Sequence, residues 1–228
     1  LIGLTTAVLL TGCTGSDQPP VTVNPGAMPK IGAVSDRFLA YNVEMVELSG
    51  GRFWAPYEGD EPARGEDRYQ YRPPIDLGNA RLRKLAAALG PSYVRYSGTW
   101  ANATYFADSG SPPAEPPVGF DTVVTRKQWA GAVDFANAVD ARIVTSMATS
   151  PGARDGSGTW QPENAAALFK ATENLGTTIA AVEFANEPNM IGLTQPPQDY
   201  SPGDYRRDYA RFYQWVKRTS PDTLVLAP

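Results

Sequence analysis

From residue 38 onward, short apolar runs alternate with longer segments of helical periodicity, and few folds accommodate that order. The runs are Phe38 to Val46, Tyr93 to Tyr96, Arg142 to Met147, Ile179 to Phe184 and Thr223 to Leu226. Each has the length and residue types of a strand. Between them, Leu82, Leu85, Ala86 and Leu89 fall at i, i+3, i+4, i+7, as do Trp129, Ala132, Val133 and Ala136. Leu168, Phe169, Thr172 and Leu175 make a third stripe, and Tyr205, Tyr209, Phe212, Tyr213 and Val216 a fourth. Such spacing places one apolar face on each helix. Thr125 to Gln128 reads as a capping box, and Ser201 to Asp204 as a second N-terminus with Pro202 in its first turn. Gly90-Pro91, Gly176 and Ser220-Pro221 close helices. Strands joined by helical crossovers imply right-handed βαβ units and a parallel sheet, so the expected class is α/β. A doubly wound sheet and a (β/α)8 barrel both satisfy this pattern. No GxGxxG or GxxxxGK[ST] follows any strand, which weakens a nucleotide-binding reading.

Composition narrows the chemistry. The 228 residues suffice for a full core. The chain has no His, so Ser-His-Asp and Cys-His nucleophiles, His-ligated zinc and imidazole proton shuttles are excluded. Acid-base work falls to carboxylates, Lys or Tyr. One Cys makes neither an internal disulfide nor a multi-thiolate metal site, and a net charge of −4 offers no basic surface for nucleic acid.

Residues 1–12 are apolar or small and too short to span a bilayer, and they lead directly into Cys13. They read as the remainder of a signal peptide. Leu10-Thr11-Gly12-Cys13 resembles the bacterial lipoprotein box, which implies a diacylglyceryl group on Cys13 and a lipid-anchored protein of the bacterial cell envelope. Residues 13–35, rich in Gly, Pro and Ser, then form a flexible linker, and 36–228 a folded portion.

Two stretches, about 49–75 and 97–121, follow strand ends and are loaded with Gly, Pro and aromatics. They are expected to be long loops of the kind that carry function in α/β folds. The sharpest local signal is Val182-Glu183-Phe184-Ala185-Asn186-Glu187-Pro188-Asn189, an apolar strand ending in an amide, a carboxylate and a proline. Pro188 stops the ladder, leaving Glu187 at the strand's C-terminal lip. Period-2 alternation puts Glu183 and Glu187 on one face until the strand ends. A sheltered carboxylate can have its pKa raised by desolvation or by a second carboxylate, as a general acid at neutral pH requires.

The Asn186-Glu187-Pro188 ending on the fourth strand of a βα series resembles the acid/base strand of clan A glycoside hydrolases, which are (β/α)8 barrels. Within that clan the chain resembles glycoside hydrolase family 79, the heparanase and β-glucuronidase family. Four blocks carry the likeness: Phe38 to Met45, Gly51 to Trp54, Tyr93 to Thr99 and Val182 to Asn189. The resemblance covers about residues 36 to 228 and implies a truncated barrel, about the first five βα strands.

By the same resemblance Glu187 matches the general acid/base, and Asn186 the amide that binds the donor sugar's 2-hydroxyl. Asn42, Glu44, Gly98 and Thr99 fall where the family contacts the sugar in its innermost subsite; for each, local backbone capping is an equal alternative. Arg95, a charge within an apolar strand, should meet a carboxylate, either the clan's nucleophile or Glu183. Trp54, Trp100 and Trp160 are candidates to stack on pyranose faces, or to form small loop cores. Arg52, Arg64 and Arg154 are candidates to meet a uronate or sulfate. The implied reaction is retaining hydrolysis of a glucuronide or a heparan-sulfate-like glycosaminoglycan, with no metal or organic cofactor. The clan's nucleophile is a Glu on the seventh strand, so no residue here is assigned that role. A lipid-anchored protein that binds acidic sugars without cleaving them is the alternative, and a doubly wound protein of unrelated activity a third reading.

Overall fold

The computed structural model describes residues 24–56, 65–193 and 199–227. The signal-peptide and Cys13 expectations, and Arg64, lie outside these residues. The described residues fall into two units, 24–34 and 35–227. Of the first, the described part is exposed and holds one 3-10 turn, Pro25–Ala27.

The second unit is α/β. In chain order it runs β1 (Leu39–Glu44), α1 (Met45–Ser49), β2 (Gly51–Trp54), β3 (Tyr69–Arg72), α2 (Ala80–Ala87), β4 (Ser92–Ser97), β5 (Thr104–Ala107) and β6 (Thr122–Thr125). There follow α3 (Arg126–Ala138), β7 (Ala141–Ser146), α4 (Glu163–Asn174), β8 (Ile179–Glu183), α5 (Pro202–Thr219) and β9 (Leu224–Leu226). The expected strand runs become one parallel sheet in the order β1-β4-β7-β8-β9. Each strand lies beside its predecessor, with none of the reversal that marks a doubly wound sheet.

The caps form as the sequence requires. Thr125 and Gln128 make a reciprocal capping box on α3, and Ser201 and Asp204 one on α5, where Pro202 opens the helix. Ala86, Trp129, Val133, Leu168, Phe169 and Phe212, from α2 to α5, join Val94, Tyr96, Ile143 and Val182 in one buried cluster. Inside it Trp129 Nε1 donates to Thr172 Oγ1 at 2.9 Å, and the Tyr96 hydroxyl to the Ala132 carbonyl at 2.8 Å. Buried polar tips are thereby satisfied while their rings are fully desolvated.

Residues of the other parity on the same strands carry a polar ladder. The register sets Asn42 beside Arg95, Glu44 beside Ser97, and Ser146 beside Glu183. Among the described residues each outer strand has one neighbour, and apolar side chains stand exposed there: Phe38 and Leu39 at β1, Leu224 and Leu226 at β9. The stripe expected on α2 is only half realised: Leu82 and Ala86 pack inward, whereas Leu85 and Leu89 are exposed.

The two stretches expected as long loops are partly ordered into small sheets. β2 and β3 form an antiparallel pair, Gly51 opposite Arg72 through Trp54 opposite Tyr69. β5 and β6 pair in parallel, and the Asn164 amide clamps Phe106 by accepting from its N–H at 3.1 Å and donating to its carbonyl at 3.0 Å.

Candidate active site

β8 ends at Glu183, and the chain runs irregularly through Phe184 and Ala185 to Asn186 and Glu187. Free of the strand's alternation, Asn186 turns toward the side on which Glu183 lies. Its backbone is pinned by Asn102 at both polar groups: Asn186 N–H donates to Asn102 Oδ1, and Asn102 Nδ2 to the Asn186 carbonyl, each at 2.9 Å. Glu187 follows in the left-handed region, at φ 43°. A non-glycine residue there is strained by roughly 1–3 kcal/mol and persists only where its surroundings dictate it. The Asn102 clamp and the Met190 N–H bond to the Glu187 carbonyl at 2.7 Å supply that constraint. The Glu187 carboxylate, at the strand's lip, accepts from Asn186 Nδ2 at 3.2 Å and from the Thr99 hydroxyl at 3.5 Å.

Arg95 is the hub. Its Nε and Nη2 bind the two oxygens of Glu183 at 2.9 and 2.6 Å, while Nη2 also donates to Asn186 Oδ1 at 2.8 Å and Nη1 to Asn42 Oδ1 at 2.9 Å. Among the described residues, the carboxylate that Arg95 meets is Glu183. Glu183 is held in turn by the Ser146 hydroxyl at 2.7 Å, which is itself hydrogen-bonded to Ser97. A bidentate guanidinium–carboxylate pair whose free donors meet two amides orients Asn42 and Asn186 together.

Asn42 passes the chain on by donating to Glu44 Oε1 at 2.8 Å. Glu44 also caps α1 reciprocally with Glu47. Burial pushes the Glu44 carboxyl above its usual range; the Asn42 bond and Arg95 oppose this, and Glu47 and Glu187 add to it. Gly98 lies under this carboxylate: a Cβ there would sit 1.5 Å from Glu44 Oε2, and its φ of 93° disfavours any side chain.

Glu44, Gly98, Thr99, Asn186 and Glu187 share one open cleft of about 1290 Å³. It lies between the two excursions, and Trp54, Tyr69, Trp100 and Arg52 line it as well. Asn42 and Arg95 stand behind the wall and orient the residues that reach it.

Two candidates belong elsewhere. Trp160 is 1% exposed and packs edge-on against Phe184, Phe212 and Trp215, a core ring and not a sugar platform. Arg154 is a buried strut: Nη1 meets Asp208 at 2.6 Å, Nε donates to the Thr149 carbonyl at 2.9 Å, and the guanidinium lies over the Tyr200 ring. Both sit where the 154–160 segment folds back, through a bridge between Arg154 and Trp160, onto α5.

Three functional groups were not anticipated. Ser97 and Ser146 lie on the polar parity of their strands, a signal that alternation contains. Asn102 sits in the 3-10 turn Thr99–Ala103 and has no sequence signature. No protein-family model and no curated protein matches this chain.

Proposed function

We propose that this chain is the N-terminal portion of a retaining glycoside hydrolase of the family 79 kind, acting on β-glucuronides or heparan-sulfate-like glycans from a lipid anchor on the bacterial envelope. The observation that carries the reading is the placement of Asn186 and Glu187. They stand side by side at the C-terminal lip of a parallel strand, braced by Asn102 and Arg95, and open onto a cleft large enough for more than one sugar ring. A closed (β/α)8 barrel is the architecture proposed for the whole enzyme. Supporting it are the unreversed strand order, the single helix-covered face and the two open sheet edges with exposed apolar residues.

In this mechanism Glu187 gives its proton to the glycosidic oxygen as the bond to the anomeric carbon breaks and a second carboxylate attacks that carbon. Glu187 then takes a proton from the water that releases the sugar. The second carboxylate comes from outside the strands described, and two such groups stand roughly 5 Å apart in retaining enzymes. Asn186, oriented by Arg95 and its own backbone clamp, holds the donor sugar's 2-hydroxyl, and Glu44 and Thr99 bind beside it. Glu183 neutralises Arg95 and takes no part in bond making.

The test is hydrolysis of a phenyl β-glucuronide and of heparan sulfate by the protein expressed from its complete gene. Glu187→Gln should lower kcat by about 100-fold or more, the range general acid–base groups contribute. Unchanged turnover in that variant would overturn the assignment. Saturable binding without turnover, indifferent to Glu187→Gln, would instead identify an acidic-sugar-binding protein. Mass spectrometry of the mature N-terminus tests the diacylglyceryl modification expected on Cys13.

A further inference from the structure

The cleft has two unlike halves. Asn186, Glu187, Glu44 and Thr99 make a polar end backed by the Arg95 network. The other end is walled by aromatic rings from the β2–β3 pair and the Thr99–Ala103 turn. Register puts Trp54 directly opposite Tyr69 on one face of that hairpin. Their rings stack with centroids 4.9 Å apart and planes 23° from parallel, and Trp100 stands edge-on to Trp54 at 6.3 Å and 90°. Trp100 also braces Phe53 at 5.1 Å. Yet Trp54 remains 47% exposed. A large ring locked by two neighbours and still open to a cleft is a preorganised surface: it loses little entropy when a flat ligand covers it.

We infer that the Trp54–Tyr69 shelf is the seat of the leaving group, taking the flat face of an aryl or pyranose ring attached to the glycosidic oxygen. This rests on the reading of Glu187 as acid/base. An acid/base stands beside the scissile oxygen, with the donor sugar on one side and the leaving group on the other. Asn186, Glu44 and Thr99 beside Glu187 supply hydrogen bonds for the donor sugar's hydroxyls, and the Trp54–Tyr69 pair on a separate element of the cleft wall is left to the leaving group. The cleft volume of about 1290 Å³ exceeds what one sugar needs. Trp54 thus sets which glucuronides are cleaved, through stacking, without touching the reacting bond.

The experiment compares wild type, Trp54→Ala and Trp54→Phe of the complete protein on methyl β-glucuronide, phenyl β-glucuronide and a glucuronosyl disaccharide. An aromatic contact of this kind is worth about 3- to 10-fold. Trp54→Ala should lose that factor in kcat/KM on phenyl glucuronide, on the disaccharide or on both, and keep its methyl glucuronide activity. Trp54→Phe should recover part of the loss. Loss on the phenyl compound alone assigns the shelf to aryl groups, and on the disaccharide alone to sugar rings. Equal loss on all three, or none on any, overturns the inference. If wild type cleaves no glucuronide, the hydrolase reading fails by itself, and calorimetric titration decides the shelf: phenyl glucuronide must bind wild type more tightly than methyl glucuronide does and lose that advantage in Trp54→Ala. Equal affinities refute it.

Discussion

Removing the carboxylate of Glu183 tests whether the polar ladder is held from within the sheet. The Arg95–Glu183 pair is bidentate, with side chains 29% and 20% exposed. Two unit charges about 4 Å apart attract by roughly 4 kcal/mol at an effective dielectric of 20. Partial exposure screens that figure, so the coupling should fall between the 0–1 kcal/mol of surface pairs and the 3–5 kcal/mol of buried ones, at about 2 kcal/mol. The perturbation is a double-mutant cycle: Glu183→Ala, Arg95→Ala and both together. Urea unfolding of the four proteins gives the coupling directly. Glu183→Ala alone should cost more than the coupling, about 3 kcal/mol, because Ser146 also loses its acceptor and Arg95 is left with amide acceptors only. A coupling below about 0.5 kcal/mol would refute the argument, since Arg95 would then hold Asn42 and Asn186 without help from Glu183.

Three further outcomes follow from the same geometry. Gly98→Ala should destabilise by about 2–4 kcal/mol in urea unfolding, combining backbone strain at φ 93° with displacement of the Glu44 carboxylate. Glu44 has a folded-state pKa above its usual 4.5, so its contribution to stability is full below that value and is lost as pH rises through the folded one. Glu44→Gln should therefore compare better with wild type at about pH 8 than at about pH 4, as urea unfolding at both would show. Asp208→Ala should cost about 3–5 kcal/mol by leaving Arg154 buried without its carboxylate, whereas removing the exposed Lys170–Glu173 pair should cost under about 0.5 kcal/mol; thermal melts distinguish the two.

The parallel sheet was legible because each strand is a short apolar run and each crossover carries a capping box or a terminal glycine. Those are local signals, and Thr125, Ser201 and Gly176 act within one turn of themselves. The pairing of Arg95 was legible as a need, since a charge inside a strand requires a carboxylate; Glu183, the alternative to an outside nucleophile, is the group that meets it. Trp160 and Arg154 deceived for a common reason. Both follow a strand end, where sites are built, but their segment doubles back onto α5, a helix some forty residues later, and no spacing encodes that return. The β2–β3 pair was hidden by its brevity, since each strand has only 4 residues and lies in a stretch loaded with Gly, Pro and aromatics that reads as loop. Asn102 was invisible because its work is done by a backbone clamp across 84 positions.

The backbone at Glu187 sets a limit on improving this protein. A left-handed residue with a long side chain is one that Gly or Asn would occupy at lower energy, by roughly 1–2 kcal/mol. A library selected for heat resistance alone would accordingly favour replacement of this position, and its hardiest members would be those that had given up the carboxylate. Selection for stability and selection for turnover pull in opposite directions at this one peptide unit. Any programme of stabilising changes should hold residue 187 constant and seek its gains away from the cleft.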